Sequence, residues 1–228
     1  MNYDCEPLAP TTVEFAFDPS CPWTWLTFRW LVSASEQEEI EVRWRPFSLA
    51  HVNRDKPDVP DEYRKRWPVV AGALRIVQRL AVDSRHKEAE RFYSELGLAV
   101  HVENEPWTAA TVFAAASRSG LDDETISAFN DHRLDPGVFA STDDALDLAG
   151  PDIGSPVLIL NAHPSDTTRT RVGFHGPIIT EVPQGECASA LWRAVLAAAA
   201  VSQFHELKRG RRVPPQVAVG IGLHQHGS

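Results

Sequence analysis

The chain has 228 residues, 43% hydrophobic and 23% charged, the usage of a globular protein rather than of a disordered segment. Its formal net charge of −9 speaks against broad contact with nucleic acid or an anionic membrane surface. No apolar run reaches the roughly 18 residues of a membrane span, and the start, MNYDCEPLAPTT, lacks the basic-then-apolar pattern of a secretion signal, so a cytoplasmic protein with reduced thiols is expected.

Thr12 to Phe17 (TVEFAF) alternates and is rich in β-formers, which predicts a strand entering the core. Ser20 or Cys21 can cap the helix that follows, with Pro22 near its first position, where a missing N–H costs nothing. That helix runs on from Trp23 to Ser35, and Ile40 to Phe47 alternates again as a second strand. From residue 51 to about 150 the pattern becomes helical. Pro57 and Pro60 mark a loop, DEYRKRW opens a long helical region, and VAGALRIVQRLAV, HKEAERFYSELGLAV, TAATVFAAASRSG and the run through FASTDDALDLAG suit short packed helices. Gly72, Gly97, Gly120 and Gly150 fall near their boundaries, Gly72 being the one that can sit inside a helix.

Strands return at residues 156–160 (PVLIL) and near 171–174. The last helix reads from Glu186 to Leu207, and the basic KRGRR after it is read as a solvated segment. This order predicts an α/β fold: a thioredoxin-like, four-stranded mixed sheet built from residues 10–50 and 151–208, with residues 51–150 as a helical lid inserted after the second strand. Its alanine-rich last helix would serve a monomer core or a homodimer seam equally.

Three cysteines, Cys5, Cys21 and Cys187, make no disulfide framework, and no Cys/His spacing suggests a metal site. Cys21 stands out because a helix start offers unpaired N–H groups and the positive end of the macrodipole. A thiolate there is expected to be stabilised, with its pKa lowered. Gly154-Ser155-Pro156 heads the third strand. In a thioredoxin-like fold that proline is cis and sits against the active cysteine, with the backbone of Ser155 receiving an incoming thiol.

FAFDPSCPWTW, SLA at 48–50, FYSELGLAVH, IGSPVLI, FHGPIITEVPQGE, LWRAV and FHELKRGRRVPP resemble successive blocks of the actinobacterial mycothiol-dependent nitroreductases. These are DsbA-like cytoplasmic oxidoreductases with a helical insertion. The resemblance implies that Cys21 is the attacking thiol of a Cys-Pro-Trp-Cys motif in which Pro22 and Trp23 match and Thr24 replaces the resolving cysteine. It also implies that His101 faces the site, that Pro156 is the cis-proline, and that Asn53 and Tyr63 flank substrate entry. Trp23, Tyr63, Trp67 and Trp107 can line a flat apolar pocket.

Thr24 can donate a hydrogen bond to the Cys21 sulfur but cannot attack a mixed disulfide. A second thiol from solution would have to do so. Cys5 and Cys187 are read as incidental. The expected function is a monothiol oxidoreductase that uses mycothiol, or another low-molecular-weight thiol, on a small electrophile, without a metal. The alternatives are a non-redox thiol-dependent isomerase or S-transferase, and a binding protein that has lost activity.

Overall fold

The computed structural model describes residues 12–161 and 171–218; Cys5 lies outside them. β1 (Thr12–Phe17) is flanked by β2 (Glu41–Pro46) and β3 (Val157–Asn161), with β4 (Arg171–His175) beyond β3. β1 is parallel to β2 and antiparallel to β3, and β3 is antiparallel to β4. The sheet is mixed, with the thioredoxin-like arrangement that the order of elements predicts. Burial follows position in it. The inner strand β1 ends in three wholly buried residues, Phe15, Ala16 and Phe17. The edge strand β2 alternates, Val42 and Trp44 inward, Glu41 and Arg43 outward.

The two faces of the sheet carry separate cores. Phe15 and Phe17 enter a large one with Phe28, Trp44 and Tyr93, while Ala16 faces Phe47, Val157 and Ile159. α1 (Pro22–Glu38) supplies the crossover that a parallel β1–β2 pair needs. α8 (Glu186–Ala199) packs beside it: the Trp30 and Trp192 rings are 6.4 Å apart. Six α-helices lie between β2 and β3 in the described chain: α2 (Leu49–Asn53), α3 (Asp61–Val82), α4 (His86–Gly97), α5 (Ala109–Arg118), α6 (Asp123–Ser127) and α7 (Asp135–Ala149).

Two helix boundaries differ from expectation. DEYRKRW and VAGALRIVQRLAV form one helix, α3, running through Pro68 and Gly72. Its buried residues begin at Val70, beyond Pro68, and Gly72 serves packing rather than termination: a Cβ there would come within 2.3 Å of the Phe129 ring. α8 stops at Ala199, not Leu207. Beyond it Phe204 turns back to lie 6.0 Å from the Phe174 ring, a contact that continued helix would not make.

The strand directions decide where a site can form. The ends of β1 and β2 and the start of β3 meet at one edge, since Phe17 pairs with Pro46 and Ala16 with Val157. Phe47 N–H donates to the Phe17 carbonyl at 2.9 Å, holding the two exits together. Residues 18–21, 47–49 and 154–156 therefore converge.

Gly97, at the end of α4, lets the Trp25 ring approach to 2.3 Å from where a Cβ would stand. Gly97→Ala gains helix propensity of at most about 1 kcal/mol but overpacks the core by about 1–3 kcal/mol. A net loss of stability is expected in urea unfolding, and an unchanged midpoint would refute the packing argument.

Candidate active site

Cys21 occupies the N-cap of α1 in extended backbone (φ −88°, ψ 117°), with Pro22 as the first helical residue. Neither residue expected to cap the helix does so through its side chain: the Cys21 sulfur makes no cap bond, and the Ser20 hydroxyl is spent on Asp18 Oδ1 at 2.6 Å. The helix start instead closes through its backbone, Cys21 N–H to the Asp18 carbonyl at 3.2 Å and Trp25 N–H to the Cys21 carbonyl at 3.1 Å.

The Ser155–Pro156 bond is cis, as expected for residue 156. The Cys21 thiol lies against the segment, donating to the Ser155 carbonyl at 3.6 Å. The Ser155 hydroxyl accepts from Asp18 N–H at 2.8 Å and lies 2.8 Å from Thr24 Oγ1. A serine hydroxyl has one proton. If Ser155 gives it to Thr24, the Thr24 proton is free to point at sulfur. Hydrogen bonds then run from Asp18 N–H through Ser155 and Thr24 to Cys21, buried at Thr24 and Ser155. Cys21, Pro22 and Trp23 themselves stay partly exposed.

The direction of the Cys21 pKa corrects the sequence expectation. Burial pushes it above the ordinary thiol value, and the Asp18 charge adds to that push. The Thr24 hydroxyl and the Thr24 and Trp23 amides pull it down without prevailing. The helix-start donors act as anticipated; desolvation outweighs them, so the thiol is the resting form.

Sequence reasoning missed Asp18. It is wholly buried and accepts from Leu49 N–H through Oδ2 at 2.8 Å and from Ser20 N–H through Oδ1 at 2.9 Å. One carboxylate thus ties the cysteine turn to the start of α2. Burial raises its own pKa, and its hydrogen bonds to Ser20 and Leu49 oppose the rise. The visible signal was a charged residue closing an apolar strand in FAFDPSC.

His101 lies in a π-helical turn, Leu98–Val102, that continues α4. Its Nε2 is 2.8 Å from the Pro19 carbonyl. A carbonyl can only accept, so Nε2 carries the proton and Nδ1 is left as an acceptor. The ring also stacks on Trp25, centroids 6.0 Å apart. Burial lowers its pKa to about 4, against the Pro19 bond, with Arg66 adding to the fall. His101 therefore braces the loop before Cys21 as a neutral ring.

Trp23 carries the Arg211 guanidinium over its ring at 4.9 Å, so the KRGRR segment is not simply solvated there. Asn53 ends α2, its carbonyl accepting from Lys56 N–H at 3.1 Å. Tyr63 and Trp67 stand at the start of α3 under Arg66 and Arg64. Among the described residues none of these three bonds to, or shares a ring contact with, the Cys21 turn. Trp107 packs beside Val70, Leu74 and Val138 rather than with Trp23. Cys187 is exposed in the first turn of α8. No cluster of three or more potential metal ligands occurs among the described residues. An open groove of about 550 Å³ between α7 and β4, lined by Asp147, Arg171 and Phe174, includes none of the residues around Cys21.

Comparison with known proteins gives three findings. A family model described as "Rv2466c-like: Mycothiol-dependent nitroreductase Rv2466c" matches residues 20–209. The chain is 26% identical over 209 residues to an uncharacterised protein, Rv2286c, of Mycobacterium tuberculosis, covering 87% of this chain and 82% of that one. Among solved structures it resembles a putative protein disulfide isomerase from Nitrosomonas europaea with a TM-score of 0.54 and 15% identity, over 81% of this chain and 97% of that one.

Two outcomes are expected. A hydrogen bond to a charged group contributes about 1.5–3 kcal/mol, so Thr24→Val should raise the Cys21 pKa by about one to two units, read as the pH dependence of iodoacetamide alkylation; an unmoved profile would show that Thr24 does not donate to sulfur. For His101, a base with a depressed folded-state pKa stabilises the fold fully above its ordinary value of 6.5, and that stability is lost as pH falls through about 4. Urea midpoints of the native chain should fall more steeply in that window than those of His101→Gln, and an NMR titration of His101 near its ordinary value would overturn the assignment.

Proposed function

The chain belongs to the Rv2466c-like family of mycothiol-dependent nitroreductases, thiol-dependent redox enzymes, and from that premise we propose that it works as a monothiol oxidoreductase through Cys21. The observation that carries this reading is Thr24. The residue that would resolve a disulfide at Cys21 is a hydroxyl, hydrogen-bonded to Ser155 and buried, and the remaining described cysteine, Cys187, is exposed on α8.

In this reading the resting thiol is held on the Ser155 carbonyl. As its proton leaves, the Thr24 hydroxyl and the amides of Trp23 and Thr24 turn from minor partners into the donors of the thiolate. Cys21 and one molecule of mycothiol together pass two electrons and two protons to a small electrophile such as a nitroaromatic, leaving Cys21 joined to the cosubstrate by a disulfide. A second mycothiol attacks the cosubstrate sulfur of that disulfide and releases the Cys21 thiolate. The sum is two thiols converted to one symmetric disulfide and one acceptor reduced by two electrons. Asp18, Ser155 and His101 position the turn and do not exchange electrons.

The reading carries a cytoplasmic setting, where the thiol pool is reduced; among the described residues no helix is long and apolar enough to cross a membrane. A lone sulfur would also serve addition–elimination on a conjugated substrate, without net electron flow. Formation of the symmetric disulfide product separates the two chemistries.

With Cys5→Ser and Cys187→Ser in place, incubation with oxidised mycothiol should give one mixed-disulfide adduct by intact mass, absent when Cys21→Ser is added. In Thr24→Cys the adduct should give way to an internal disulfide, seen as a loss of two hydrogens. Absence of any adduct at Cys21 would sink the proposal.

A further inference from the structure

The chain after α8 reads FHELKRGRRVPPQV. Gly210, the pair Pro214-Pro215 and the closely spaced cations Lys208, Arg209, Arg211 and Arg212 leave it no helical or strand periodicity, and residues 205–215 form neither element. The segment is nonetheless tied down at both ends. Phe204 lies 6.0 Å from the Phe174 ring. Further on, Gln216 N–H donates to the Thr180 carbonyl at 2.8 Å, and the Val217 carbonyl accepts from Trp25 Nε1 at 3.4 Å and Arg29 Nη1 at 3.2 Å. Trp25 and Arg29 belong to α1, the helix that Cys21 begins. The loop that holds Thr180 is bound to the same helix, since the Thr27 hydroxyl donates to the Pro177 carbonyl at 2.7 Å.

Between those anchors the strap is held weakly. Residues 205–214 are exposed, Leu207 at 90%, and no backbone-to-backbone hydrogen bond forms along 205–215 among the described residues. Such a stretch opens locally at a small free-energy cost. Across this span Arg211 reaches the active turn, its guanidinium carbon 4.9 Å from the centroid of the Trp23 ring. Arg75, Arg85 and Arg171 each bond a carboxylate, whereas Arg211 makes no ion pair or hydrogen bond among the described residues. Its ring contact is therefore what holds the guanidinium in place. At an exposed site such a contact favours the seated cation over a lifted one only about two- to fivefold. Trp23 is the fixed member of the pair, in the first turn of α1 and two residues from Cys21.

We propose that Arg211 is a specificity-determining residue, a displaceable cover that the strap lays on Trp23. It occupies the ring face on which a flat aromatic electrophile would stack beside Cys21. An aromatic substrate gains that face by lifting the guanidinium, exchanging one π contact for another. A small electrophile needs no such exchange, because Cys21 is itself partly exposed. The anchors at Phe204 and at Gln216–Val217 keep the lifted strap close, so the cover returns once the product leaves. This rests on the reading of Cys21 as the attacking sulfur and adds what governs access to it.

The test uses the full chain with Cys5→Ser and Cys187→Ser, so that Cys21 is the single thiol. Two uncharged probes, flat dithiodipyridine and small methyl methanethiosulfonate, keep charge steering out of the comparison. With the first, the Cys21 thiolate attacks one sulfur, forms the mixed disulfide and expels one aromatic thiolate, whose absorbance gives the rate. With the second it attacks the methylthio sulfur and expels methanesulfinate, and the methylthio adduct is followed by intact mass. Arg211→Ala should raise the ratio of aromatic to small-probe rates about two- to fivefold, the worth of an exposed cation–π contact. Once Trp23→Leu has removed the ring to be covered, adding Arg211→Ala should leave the ratio where it was. A ratio that Arg211→Ala leaves unchanged or lowers, an equal rise with both probes, or the same rise in the Trp23→Leu background overturns the cover. Failure of Cys21 to react even with the small thiosulfonate overturns instead the reading of Cys21 as the attacking sulfur, and the cover with it.

Discussion

The site depends on one meeting of chain segments, the turn that carries Cys21 against the Ser155–Pro156 segment. Strand direction makes that meeting unavoidable. β1 and β2 leave the sheet at the edge where β3 enters it, and three backbone segments with polar groups to satisfy arrive in one place. Asp18 N–H reaches Ser155 Oγ, Leu49 N–H reaches Asp18, and the Cys21 thiol reaches the Ser155 carbonyl. No single bond there is strong, but each satisfies a group that would otherwise be buried unpaired, and losing one partner would strand the next.

Much of the chemistry follows from opposing influences on one sulfur. Position at a helix start offers the amides of Trp23 and Thr24, and the threonine hydroxyl adds a third donor. Burial and the charge of Asp18 work the other way and win. The outcome is a cysteine that rests protonated but is surrounded by groups ready to receive its anion. Such a site favours the charged state during reaction more than before it, the arrangement that preorganised donors provide. His101, kept neutral by burial, contributes rigidity to the same turn.

What the sequence disclosed was local. The alternation of TVEFAF and IEVRWRPF, the Cys-Pro-Trp turn and the Ser-Pro at the head of PVLIL each state their structure within a few residues, and together they specify the sheet and the place of Cys21. What stayed hidden involves distant residues or competing energies. Arg211 meets Trp23 across most of the chain, Gly72 is explained by Phe129, and α8 ends where Phe204 turns toward Phe174. The pKa of Cys21 departs from the sequence expectation because the dipole is visible in a pattern, whereas desolvation is visible only once the fold is closed. Asp18 is not legible in the sequence because one acid after an apolar strand carries no periodic signal.

Threonine at position 24 has a further consequence for how such a site would register its surroundings. A protein with two neighbouring thiols closes its own bridge and releases two reduced thiols, so its balance varies with the square of their concentration. A lone cysteine trades one partner for another, and its balance follows only the quotient of oxidised to reduced thiol. Cys21, acting alone, would report how oxidised the pool is while remaining indifferent to how large the pool is.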